Sequence, residues 1–423
     1  MTGDSAQGVA THRSGRPVSA TAPLTGLVGF IAACLAVWLL RDWTALPYQR
    51  ALAVMAAVAA PMLLVDLLVF RVHRRASTGL AGTALHPVAP GRLLRKLVGL
   101  GVTLGAIAGL YWLFPEYAGD FYQPVWDAVA LLAPWLAAVT PVYVLIVDRR
   151  QRAPEDAYAQ LGALVLAGQR PADWGDIGNH ARGWLIKGFF LPLMFVGLTR
   201  DISHISGLLM GERPAGFLPL YDLVYGATFL LDLLFTCIGY MLTLRLTDTH
   251  IRSAEPTMFG WAVCLVCYQP FWSLISAQYL AYDADSTVWG PYFSAWPAVQ
   301  AAWGAAILAC VGVYVWATIA FGCRFSNLTH RGIITSGPYR WMKHPAYVAK
   351  NLSWWLISIP FLGEGPTELA VRQCLLLLML NGIYALRALT EERHLARDPV
   401  YRAYQAWMRE HSLVAYGRRL LAG

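Results

Sequence analysis

Two short stretches in the last quarter of the chain hold the residues best suited to chemistry. The first reads Arg331-Gly-Ile-Ile-Thr-Ser-Gly-Pro-Tyr339-Arg-Trp-Met-Lys343-His344-Pro345-Ala-Tyr347. Pro338 and Pro345 push the residues before them away from helix, so the stretch reads as a loop stiffened at two points. Such a loop gathers Tyr339, Trp341, His344 and Tyr347. Aromatic rings and an imidazole on a fixed backbone suit an adenine-sized ligand, through stacking and backbone hydrogen bonds. A tight interfacial turn with an aromatic belt accounts for the same residues equally well.

The second stretch holds Asn381, Arg387, Glu391, Glu392, Arg393 and His394. Arg387 and Glu391 are four apart and share a helix face, and His394 lies three further on. An arginine offers a planar, two-pronged donor that suits a carboxylate. The plainer alternative is a charged helix end exposed to solvent. Beyond it, Asp398-Pro399 opens a short helix with Pro at its first position. Its Tyr404 and Trp407 could lie along a membrane surface and close the site from below.

The elements that must position these residues are strongly apolar. Of 423 residues, 57% are apolar and 14% charged, with 17 Trp and 20 Tyr. Soluble proteins carry about 25% charged residues, and amphipathic rings collect at membrane interfaces. A disordered chain, a secreted disulfide scaffold and an ordinary cytosolic enzyme are thereby excluded. Ten stretches are apolar enough to span: 23–40, 51–70, 97–114, 125–147, 184–198, 218–244, 258–282, 300–321, 346–362 and 367–386. The fifth is the weakest, interrupted by Lys187 and Pro192. Residues 158–169 are apolar but short and read as interfacial.

The net charge of +8 has a topological explanation rather than a nucleic-acid one. Arg and Lys concentrate in alternate loops, about 25 of the 33 on one side. The other side holds Arg41, Arg50, Arg200 and Arg213, with acidic loops at Glu116/Asp120 and Asp283/Asp285. The positive-inside rule then puts both termini in the cytoplasm. Arginine outnumbers lysine 29 to 4, as in GC-rich bacterial genomes, so a bacterial inner membrane is expected. Cys264 and Cys267 are spaced as Cys-x-x-Cys, but no second pair or nearby His completes a zinc site. No metal is expected.

The fold class expected is all-α, a polytopic transmembrane bundle of about ten spans with a cytoplasmic cofactor site near the C-terminus. Residues 1–22 are polar and read as a disordered start without a cleavable signal. Residues 23–210 read as an N-terminal transmembrane bundle of unknown role, and 211–423 as the domain bearing the site.

The order Gly-Pro-Tyr, His-Pro-x-Tyr and Arg-x-x-x-Glu-Glu, over roughly 300–407, resembles the isoprenylcysteine carboxyl methyltransferase family. That family is part of a wider group of membrane methyltransferases acting on phospholipid nitrogen or on thiols. The resemblance implies transfer of a methyl group from S-adenosylmethionine to a lipophilic acceptor, such as the carboxylate of an isoprenylated or lipid substrate. It implies that His344, Pro345 and Tyr347 help enclose the cofactor with Tyr339. It further implies that Glu391 and Glu392 complete the cofactor site and that Arg387 orients the acceptor. Lys343 stands where members often have Arg, Ala349 where many have Gly, and Asp398-Pro399 where a Phe-Gly pair is common. Typical members also lack the early spans.

Other residues admit two readings. Asp66, Asp222 and Asp232 could line an acceptor cavity, bind a cation, or hold helices together by hydrogen bonds. The polar loop 248–256 could join the site or cap a helix. Lys350 could touch the cofactor or snorkel to headgroups. Sterol reductases resemble the same C-terminal region and bind NADPH, which gives a second enzyme reading. A transport or assembly protein with a vestigial methyltransferase-like end is the non-enzyme reading.

Overall fold

Proline opens six of the helices, at the position where its missing N–H costs nothing. These are α1 (Pro23–Leu39), α2 (Pro47–Leu64), α3 (Pro90–Leu113), α9 (Pro297–Ala320), α10 (Pro345–Ser358) and α12 (Pro399–His411). Between them run α4 (Gln123–Arg150), α5 (Ala157–Ala167), α6 (Trp174–Met210), α7 (Phe217–Met241) and α8 (Met258–Leu265). The last two are α11 (Thr367–Leu395) and α13 (Leu413–Ala422). Strands β1 (Ser253–Ala254) and β2 (Thr329–His330) pair antiparallel, Ser253 opposite His330. This computed structural model describes residues 9–81, 85–211, 216–284, 287–362 and 365–422. Residues 1–8, Arg213 and Asp285 lie outside them.

Among the described residues, seven helices are long and apolar enough to cross a membrane: α2 with its π-helical continuation to Val69, α3, α4 with its lead-in, α6, α7, α9 and α11. The chain is thus an all-helical, multi-pass membrane protein. Three of the ten expected stretches take other forms. The stretch 23–40 makes a 17-residue helix. The stretch 346–362 yields the 14 residues of α10, because the chain turns at Ile359 (φ 31°) ahead of Pro360. The stretch 258–282 breaks after Leu265 into turns and a π-helical piece, Trp272–Ser276. Pro270 lies inside that break, and it lacks the N–H a continuous helix would need.

Two expectations shift in the opposite direction. The stretch 184–198 belongs to the longest helix, the 37 residues of α6, whose start is capped by Asp173 accepting from the Gly175 N–H. Lys187 is accommodated by donating to Thr243 Oγ1 (3.1 Å) with its ammonium over the Trp184 ring. The short stretch 158–169 forms α5, pressed on α3 through glycines. A Cβ on Gly162 would stand 1.8 Å from the Arg95 carbonyl oxygen, so any larger residue forces the two helices apart.

The largest core joins early and late spans. It contains Ala33 of α1, Val54 of α2, Phe195 of α6, Leu234 and Phe235 of α7, and Cys323 after α9. Residues 14–20, part of the start expected to be disordered, are held on the C-terminal half. The Ala20 N–H donates to the Ile333 carbonyl, and Thr335 Oγ1 donates to the Pro17 carbonyl (2.7 Å). Composition misses this because the partners lie more than 300 residues away in sequence.

Arg331 ties the ends of α7 and α9 together. It is 2% exposed, and its five N–H groups reach five backbone carbonyls, those of Gly239, Leu242, Thr249, Cys323 and Phe325. Arg324 braces it, donating to the Arg331 carbonyl (2.8 Å) and to the Asp248 carboxylate (3.0 Å). Lysine carries one ammonium and cannot span this set. Arg331→Lys is therefore expected to lower stability by about 3 kcal/mol, read as a drop of several degrees in thermal unfolding in detergent. An unchanged midpoint would remove Arg331 from this role.

Candidate active site

The loop between β2 and α10 begins its fold at Gly337, which takes a left-handed backbone (φ 61°) with the Trp316 ring edge close by. Residues Gly337–Arg340 then form a single 3₁₀ turn. Its Tyr339 carbonyl accepts the Tyr404 hydroxyl from α12, and the Tyr339 ring meets Phe321 edge-on. His344 precedes α10, and Pro345 is its first residue. The His344 and Tyr347 rings lie parallel, 6° apart in plane and 5.5 Å between centres.

The loop residues meet the end of α11. Glu392 accepts from Lys343 Nζ (2.6 Å), from the His344 ring (3.0 Å) and from Gln405 Nε2 of α12 (3.2 Å). Glu391 accepts from the Tyr347 hydroxyl (2.9 Å). These adjacent carboxylates therefore differ in role. Glu392 is consumed by three donors from loop and helix, while Glu391 keeps an oxygen toward open space. Below them, His330 of β2 bonds Asp398 at 2.6 Å. Burial alone would raise the Asp398 carboxyl, but hydrogen bonds from His330 and the Val400 N–H hold it below the ordinary range.

A cavity of about 720 Å³ opens at this point, within the size range of small-molecule sites. Tyr339, His344, Tyr347, Arg387 and Glu391 all line it. Pro345 and Glu392 do not: Pro345 is buried at the start of α10, and the Glu392 carboxylate is enclosed by its three donors. From the polar end the cavity extends in an arm along α6 and α7, lined by Leu193, Met194, Phe229 and Leu233, with Asp201 and Asp232 among them. The broken stretch after α8 forms another wall with Cys264, Cys267, Tyr268 and Trp272. Irregular backbone at membrane depth is tolerated where it lines a cavity in this way.

Arg387 sits where the polar end meets the arm. It is 5% exposed and stands against three rings, 5.0 Å from Tyr384, 5.1 Å from Tyr347 and 5.5 Å from Tyr268. Among the described residues, its one side-chain hydrogen bond is a long one to Asn327 Oδ1 (3.4 Å). No ion pair to a carboxylate is found for it among the described residues. Tyrosine faces stabilise a desolvated cation by about 2 kcal/mol, so the rings hold the guanidinium while its donors stay available to an anion. Tyr384 was legible as a partner, being three residues before Arg387 on one helix face. Tyr268 and Asn327 were not, since a broken helix and a strand approach bring them in.

The remaining residues divide. Asp66 accepts from Thr25 (2.5 Å) and links α2 to α1. Asp232 accepts from the Tyr314 and Thr318 hydroxyls and also lines the cavity. Lys350 lines it too, its ammonium over the Tyr314 and Trp354 rings. In loop 248–256, Asp248 braces Arg324, while Glu255 accepts from the Thr257 N–H and faces the cavity. Asn381 bridges α11 to α10 through Trp355 and Asn351, both at 2.8 Å. His394 meets Ser253 of β1 (2.8 Å). No cluster suited to a metal ion is found among the described residues.

Comparison with known proteins agrees with the motif order. Residues 304–397 match the model of the isoprenylcysteine carboxyl methyltransferase (ICMT) family, less than a quarter of the chain. Neither the curated proteins nor the solved structures gave a match. The matched segment runs from within α9 to the turn after α11, and it contains Tyr339, His344, Pro345, Tyr347, Arg387, Glu391 and Glu392.

The Glu392 geometry makes a separable prediction. Glu392→Ala frees Lys343, His344 and Gln405 at once, so amide exchange in residues 339–344 should quicken by about tenfold. Exchange at the parent rate would mean that the loop is held by its prolines alone.

Proposed function

We propose that this protein is an integral membrane methyltransferase that uses S-adenosylmethionine to methylate a lipophilic acceptor bearing an anionic group. The observation that carries the reading is Arg387, a buried guanidinium with no carboxylate partner among the described residues, at the junction of a polar loop and the arm. A protein does not bury a free cation there without cost, and an anionic ligand offsets that cost. The family match over residues 304–397 supports methyl transfer as the reaction class.

The residues present fit the cofactor. Glu391 offers a carboxylate oxygen that Tyr347 leaves uncommitted, suited to an ammonium or ribose hydroxyls. The parallel His344 and Tyr347 rings and the Tyr339 turn give flat surfaces for an adenine. Pro345 and Glu392 hold that wall in place instead of facing the ligand. S-adenosylmethionine, when bound, supplies a methyl group already activated on sulfur.

What the protein must add is alignment. Holding two reactants in near-attack geometry is worth roughly 7–11 kcal/mol when the orientation is good. Arg387 would fix the acceptor's anionic head, with its own position set by three rings. The arm along α6 and α7 would take the apolar body. In the orientation given by the basic loops, the polar end faces the cytoplasm and the arm lies within the bilayer. A water-borne cofactor and a membrane-borne acceptor then reach one cavity from different phases.

Calorimetry with the detergent-purified protein tests the cofactor. Saturable binding of S-adenosylmethionine is expected, weakened ten- to a hundredfold in Glu391→Gln by loss of a charge-assisted bond. Binding of NADPH in its place would move the protein to the reductases, and binding of neither would end the enzymatic reading. Arg387→Ala should leave cofactor affinity within about threefold of the parent yet slow transfer about a hundredfold. The readout is labelled methyl entering the organic-soluble fraction of membranes, and full activity of the variant would remove Arg387 from acceptor binding.

A further inference from the structure

The final helix, α13, has a face that is exposed among the described residues. Leu413, Val414, Tyr416, Leu420 and Leu421 are all more than half exposed, Leu421 at 91%. At 100° per residue these positions and Gly417 fall on one arc of the helix, and Arg418 and Arg419 stand at its two edges. An apolar stripe with a cation on each margin is the pattern of a helix lying in a membrane–water interface. The edge arginines sit where lipid phosphates would be, with their stems along the apolar surface. An aromatic–cation pair stands nearby: Trp341 is 36% exposed with the Arg340 guanidinium over its ring.

The helix is also wired to the cavity wall. The Leu413 N–H, at its first residue, donates to the Trp341 carbonyl (3.0 Å) in the His-Pro loop. Arg419 reaches back to the Glu410 carbonyl of α12. That helix buries Tyr401, Tyr404 and Met408 and holds the loop through Tyr404 to Tyr339 and Gln405 to Glu392.

We infer that α13 is a seat for anionic lipid headgroups of the leaflet on its own side, and that seating it steadies α12 and the His-Pro loop over the cavity. A zwitterionic surface offers the apolar face the same burial but gives the arginines little net attraction, so the seat distinguishes lipid charge. A second copy or a soluble partner would cover the same stripe, but the two cationic margins favour phosphates. The seat does not depend on which ligand fills the cavity.

Hydrogen–deuterium exchange on the full chain in lipid nanodiscs tests this, with phosphatidylcholine alone against phosphatidylcholine plus phosphatidylglycerol. Amides of residues 413–422 should exchange about tenfold more slowly in the anionic discs, and those of 339–344 should slow with them. Arg418→Glu reverses an exposed charge with no partner among the described residues, so it should leave thermal unfolding unchanged and bring both segments near their rates in phosphatidylcholine. Equal exchange in the two lipids would overturn the seat. Protection that survives Arg418→Glu would overturn the headgroup assignment in favour of apolar insertion or a partner. Protection at 413–422 with none at 339–344 would overturn the coupling.

Discussion

The site depends on one buried guanidinium. Helix α7 ends at Met241 and α9 at Ala320, and carbonyls at and just beyond such ends lack helical partners. Arg331 satisfies those of Gly239, Leu242, Cys323 and Phe325, and adds Thr249 from the loop between. It thereby fixes where the chain leaves two spans. Residues on either side of it inherit that position. Asn327, four residues earlier, meets Arg387. His330, one residue earlier, reaches Asp398 at the entrance of α12.

A second level of order rests on the end of α11. Three donors converge on Glu392, from the loop and from α12, so one carboxylate gathers three separate segments. That convergence leaves its neighbour Glu391 free to face the cavity. Polar groups are thus divided between those that close the wall and those that present charge inside it. Arg387 belongs to the second kind, held by ring faces and not by a counter-ion.

Much of this was legible in the residues and some was not. The spacing of Arg387, Glu391 and the His-Pro loop pointed to one place, and the structure brings Tyr347 to Glu391 and His344 to Glu392. Which glutamate is tied was unreadable, because adjacent residues on a helix differ by 100° and only packing selects between them. Hydropathy marked 258–282 as a span, yet Pro270 lies in a break whose residues line the cavity. Averaging over a window hides a single imino acid. The fifth stretch misled in the other direction, since Lys187 and Pro192 lowered an average across a helix that continues through both.

The hold of residues 14–20 on the far end of the chain sets an order of assembly. Ala20 bonds Ile333, Pro17 bonds Thr335, and Ser14 accepts from Trp407 of α12. None of these partners exists until most of the spans have been synthesised. Those three contacts therefore form after the ones available earlier, such as Arg75 donating to the Ala20 carbonyl (2.7 Å). Residues 14–20 thereby brace, from outside the cavity, the approach to the Gly337 turn and the helix α12 that holds it. A bulky fusion placed just ahead of that segment would weigh on the site, although the two are separated by nearly the whole length of the sequence.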